Sequence, residues 1–208
     1  MANSAGASSA PSLGRRLNLR FAAVMRWTHI YLSMFSMAAI LFFSVTGITL
    51  NHPSWFFGET ERSTQAQGQV DTRWLGSEVA KLEVVEHLRK AHAVRGALAD
   101  FRTDERECLV SFKGPGYAAD AFIDRATGRY DLTESAHGFI AIINDLHKGR
   151  DSGKGWSVLI DVSAVLMTFV SLTGLALLFY IKRRRASGLV TALVGTVVVG
   201  AVFWFLVP

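Results

Sequence analysis

Three stretches of this 208-residue chain carry no charged side chain: residues 30–50, 162–181 and 186–208. No other feature constrains the fold as much, because about 20 apolar residues of helix are what the hydrocarbon core of a bilayer requires. Soluble buried helices rarely run so long without a charge. Three such runs in one small chain therefore predict an integral membrane protein. Half the residues are apolar and the mean hydropathy is +0.27. The net charge of +5 would otherwise raise nucleic acid as a partner, but a positive hydropathy excludes a plain soluble nucleic-acid binder. A single cysteine, Cys108, excludes an internal disulfide and any cysteine-based zinc or iron–sulfur site.

The charges sit where a membrane would put them. Arg15, Arg16, Arg20 and Arg26 precede the first apolar run with no acid among them, and Lys182-Arg183-Arg184-Arg185 separates the second from the third. Residues 51–155 carry 14 basic and 16 acidic residues. The positive-inside rule then puts the tail and the basic loop in the cytoplasm, and the middle segment and the C-terminus across the membrane. The first run is read as an uncleaved anchor, because Arg20, Arg26 and His29 interrupt its approach and Asn51-His52-Pro53 offers no small-residue cleavage site. The expected organisation is a cytoplasmic tail (1–22, disordered at its start), a first span (23–50), an exported domain (51–154), a second span (155–181), a cytoplasmic loop (182–185) and a third span (186–207).

Within the exported segment, residues 59–69 are polar and read as linker. From Ser77, a plausible N-cap, Val79, Leu82, Val85 and Leu88 make one apolar side of a helix that Gly96 would stop, with Val84 off the stripe. Alternating runs at 97–102, 107–113, 117–124 and, more weakly, 129–132 follow, with turn signals at Gly114-Pro115-Gly116 and Ala126-Thr127-Gly128. The fold class is thus membrane α-helical, three transmembrane helices with a small α+β domain made of one helix and an antiparallel meander of three or four strands. Residues 135–147 form a second amphipathic helix, expected to lie along the membrane surface.

Arg26-Trp27-Thr28-His29, Thr46-Gly47-Ile48 with Asn51-His52-Pro53, the run Asn144-Asp145-Leu146-His147-Lys148-Gly149-Arg150, and Leu172-Thr173-Gly174-Leu175 after Trp156 and Asp161 together resemble the PepSY-associated transmembrane helix proteins of bacteria. The resemblance covers residues 25–185. It implies a compact, single-PepSY form of the bacterial inner membrane, with the α+β domain in the periplasm. Some relatives resemble siderophore-iron reductases that bind haem between spans. The implied function is a haem-linked redox or accessory component of periplasmic ferric-siderophore reduction and iron uptake. The alternative is a cofactor-free, membrane-anchored binding or regulatory protein whose periplasmic domain docks a peptidase, transporter or assembly partner. The expected partners are the lipid bilayer, a ferric-siderophore or periplasmic protein, and a homodimer mate or another membrane subunit, with no nucleic acid.

Candidate chemistry rests on histidines. Haem b needs two axial imidazoles about 4 Å apart across the iron, and His52 and His147 are the best pair by depth, since both flank helix ends at one membrane face. His137, ten residues before His147, would sit about 15 Å along a continuous helix. His29, at the cytoplasmic end of the first span, has no histidine partner in the other spans, so it is either a polar anchor or a ligand shared with a second subunit. Asp161 is the one acid inside a span, and calls for a structural ion pair with Lys154, Arg150 or His147, or a proton-relay role. Ser44, Thr46 and Gly47 of the first span recur as Ser171, Thr173 and Gly174 of the second. The echo suits either close helix packing or a pseudo-symmetric ligand cradle. Gly188, Ala192, Thr196 and Gly200 form a small-residue ladder on the third span. His87 and His92, five apart on one helix, are expected at the surface.

Overall fold

The computed structural model describes residues 12–56 and 61–208. Helix α1 spans Leu13–Asn51, α4 Gly153–Tyr180 and α5 Arg185–Leu206, and all three are long and apolar enough to cross a membrane. Helix α1 already begins at Leu13, inside the expected tail, so Arg15, Arg16 and Arg20 ride on a helical extension; residues 1–11 lie outside the described residues. The chain divides into two compact units, 1–40 with 162–208, and 41–161.

The second unit contains the α/β body. Strands β1 (Glu61–Gln69), β2 (Ala97–Thr103), β3 (Glu107–Gly114), β4 (Tyr117–Asp124) and β5 (Arg129–His137) form one antiparallel sheet in the order β1-β5-β4-β3-β2. Helix α2 (Lys81–His92) covers one face of the sheet. Its Val84, Val85 and Leu88 are buried against Val110, Phe112, Ala121, Ile123 and Leu132. Burying each such large side chain contributes about 1.5–3 kcal/mol.

Five differences from the sequence reading have physical causes. The stretch read as linker, from Glu61 on, is strand β1, paired residue for residue with β5 without a register shift; residues 59 and 60 lie outside the described residues. Ala66 is the one apolar side chain of this strand, and most of its residues are exposed, so hydropathy does not mark it. The fourth run extends to His137, paired with both β1 and β4 although its residues from Thr133 on are mostly polar, giving five strands. Helix α2 begins at Lys81 after an Ala80 that makes no side-chain cap, and ends on the left-handed Ala93, so neither Ser77 nor Gly96 bounds it. Val84 is fully buried and Leu82 is 69% exposed, which turns the predicted stripe by part of a turn. Helix α3 spans Phe139–Lys148 and begins only after β5 ends. His137, paired with Glu61 in the sheet, therefore shares no helix with His147.

Candidate functional site

The Thr-Gly echo resolves into two histidine clamps, one in each unit. In the unit 41–161, Thr46 of α1 is buried, and its hydroxyl donates to Phe42 O at 2.6 Å, one turn back along its own helix. Nδ1 of His147, from the last turn of α3, lies 2.6 Å from the same oxygen. A threonine has one hydroxyl proton, and that proton is committed to the carbonyl. With that proton on the carbonyl, Thr46 Oγ1 is free to accept from Nδ1–H of the imidazole, while Nε2 takes no part in the bond. Gly47 faces the ring, and a Cβ there would meet His147 Cε1 at 3.9 Å, an ordinary contact. Phe43 closes the other side, edge-on at 5.2 Å between centroids.

In the other unit the roles of the helices are exchanged. Thr173 of α4 donates to Phe169 O at 2.8 Å or Val170 O at 3.0 Å. His29 of α1 places Nδ1 3.0 Å from Thr173 Oγ1 and 3.2 Å from Val170 O. A carbonyl only accepts, so this nitrogen too carries the proton. The fit is tighter here: a Cβ on Gly174 would lie 3.1 Å from His29 Cε1. Ser44 is exposed and Ser171 donates within its own helix, to Met167 O at 2.9 Å, so the working motif is Thr-Gly alone.

The run from Asn144 to Arg150 ties α3 to three other elements. Thr49 of α1 donates to Asn144 Oδ1 at 2.6 Å, and Gly116 N–H, in the β3–β4 turn, donates to Asp145 Oδ2 at 2.9 Å. Trp156 Nε1 of α4 donates to Leu146 O at 2.7 Å, and its ring meets Phe42 edge-on at 5.9 Å. Gly149 ends α3 at φ 68°, a left-handed cap that favours glycine. The sequence signal for Asn144 and Asp145 was their position on the otherwise apolar stretch Phe139–Leu146; polar groups on such a helix need partners.

The remaining candidates are not gathered with His147. The His52 ring stacks on Trp55 at 3.8 Å between centroids, and Asn51 Nδ2 donates to its Nε2 at 3.2 Å. No hydrogen bond or ring contact joins His52 to His147 among the described residues. Nε2 of His29 and of His147 takes no part in these hydrogen bonds, so each fits as a single ligand. Asp161 is exposed on α4; among the described residues the ion pairs join Arg73 to Asp71 and Arg102 to Asp100, and none includes Asp161. His87 and His92, expected at the surface, converge on the Tyr130 hydroxyl at 3.5 and 2.7 Å from Nε2. Burial raises the Tyr130 phenol above its ordinary value.

A family model described as PepSY_TM-like matches residues 23–208. No curated protein and no solved structure matches the chain.

Proposed function

The chain belongs to the PepSY_TM-like family, and from that premise we propose that it is a multi-pass protein of the bacterial inner membrane whose α/β body stands in the periplasm and binds or regulates a protein partner there. The observation that carries this reading is how the polar side chains of α3 are spent. Asn144, Asp145 and His147 all make internal hydrogen bonds, to α1 and to the β3–β4 turn. Such bonds fix a binding module on its anchoring helix and assemble no reacting groups. The cleft between Trp74 and the α2 residues Leu82, Glu86 and His87 mixes apolar and charged side chains, a surface suited to docking a protein segment. Orientation with the body outside rests on the eight cations of the tail and the KRRR loop.

The test is photo-cross-linking in intact cells from Trp74 and Leu82 of the full chain. One discrete protein adduct is expected from these positions and none from Phe205, at the end of α5. Equal adducts from all three positions, or none from the body, would overturn the reading.

A second reading, a haem-linked component of periplasmic ferric-siderophore reduction, is favoured by one observation: the Nδ1–H form of His29 and His147 leaves Nε2 in the state a metal takes. Each clamp supplies one imidazole, so His147 and His29 would hold the group singly, and a second axial ligand would come from another subunit. Haem would supply one-electron transfer. Protein purified after growth with added haem would then show a Soret band that disappears in a His29→Ala, His147→Ala double variant.

A further inference from the structure

The two edges of the sheet are built differently. The β2 edge is guarded: its register shifts between Leu98 and Asp100, and the ion pair of Asp100 and Arg102, at 2.7 Å, stands on it. Bulges and charges of this kind keep an edge from pairing with another chain. The β1 edge has no such bulge, and its charges, Glu61 and Arg62, stand at one end of it. It runs nine residues in unbroken register with β5, has no proline or lysine, and no described strand pairs with its outer side.

The direction of the open backbone groups follows from one hydrogen bond. Val70 N–H donates to Gly128 O at 2.9 Å, continuing the pairing of Gln69 with Arg129. Antiparallel pairs alternate strictly, so the even residues of β1 bond to β5. Glu61, Ser63, Gln65, Gln67 and Gln69 then turn N–H and C=O to the open edge.

We infer that this edge joins two copies of the chain, β1 against β1, in a two-fold dimer centred on Gln65. A two-fold axis makes an interface self-complementary, and this strand meets that condition. Around Gln65, Glu61 pairs with Gln69 and Ser63 with Gln67, so every outward backbone group of the strand finds a partner. Arg62 falls opposite Gly68 and Thr64 opposite Ala66. No like charges meet, and the two sheets continue as one.

The experiment uses the full chain in detergent micelles. Gln65→Cys, treated with a short bismaleimide, migrates as a covalent dimer, whereas Arg102→Cys on the guarded edge stays monomeric; the native Cys108 is fully buried and does not compete. Gln65→Lys sets two like charges face to face, and light scattering then gives half the protein mass, with an unchanged far-ultraviolet circular dichroism spectrum. Mixing Gln65→Lys with Gln65→Glu restores the dimer. Equal cross-linking of the two cysteine variants, a Gln65→Lys protein that keeps the dimer mass, or a charge-swapped mixture that stays monomeric would each overturn the inference. The outcome is independent of whether the body docks another protein.

Discussion

Thr46 and Thr173 each spend their single proton on their own helix and receive one from an imidazole. Removing the oxygen while keeping the shape separates that bond from packing. Thr46→Val is expected to cost about 1 kcal/mol, the scale of a hydrogen bond between membrane helices, and Thr46→Ser to restore most of it, as read by thermal unfolding in micelles. The glycines differ in a checkable way. Gly47→Ala meets His147 at ordinary contact distance and should be neutral, whereas Gly174→Ala crowds His29 and should lower the melting temperature. Equal effects of the two would contradict the clamp geometry. The Thr-Gly echo was legible in the sequence as helix packing or a ligand cradle, and in the structure each copy holds a histidine ring. What filled the cradles was not legible, because His147 lies 101 residues from Thr46 and His29 144 residues from Thr173. A local pattern carries no information about partners at that separation.

The elements divide by how much burial marks them. Helices α1, α4 and α5, and strands β3 and β4, were legible because apolar runs and alternation report burial directly. Strand β1 was not, since Ala66 is its one apolar side chain and most of the strand is exposed, and the start of α3 was misplaced because β5 runs polar through Glu134 and Ser135 before Gly138 ends it. The phase of α2 can be tested: Leu88→Ala should cost about 2–5 kcal/mol, as large truncations in a packed core do, while Leu82→Ala should be close to neutral. Cys108 on β3 is fully buried, and burial pushes its thiol above the ordinary value. It should resist maleimide in the folded chain and react on unfolding. In the turns, backbone N–H groups of Glu107 and Arg106 hold the Asp104 carboxyl below the usual range, and the hydroxyl and N–H of Thr127 do the same for Asp124. A carboxylate lowered by folding stabilises the fold above its unfolded value of about 3.9, and that contribution is lost as pH falls through the lower folded value. Asp104→Asn with Asp124→Asn should therefore lower the melting temperature at neutral pH, change it little in acid where both carboxyls are protonated, and so flatten the acid limb of the melting curve below about pH 4.

For the whole molecule, the placement of charge relative to the apolar runs was the most informative property of the sequence. The same +5 that would suggest nucleic acid divides into eight unopposed cations beside the helices and a mildly acidic middle segment. On the proposed topology, a reporter active only in the periplasm should work when fused after Ser135 and be silent after Arg185; the reverse would refute the orientation. The histidines that invited a haem reading bear on the whole molecule too, since His52 stands apart while His29 and His147 hold helices together. The absorption spectrum of the full chain, purified in detergent after growth with added haem, tests this account most directly. A histidine-clamped binding protein is expected to be colourless between about 400 and 600 nm, the region where haem proteins absorb. A Soret band that vanishes when His29 and His147 are changed to alanine would contradict it.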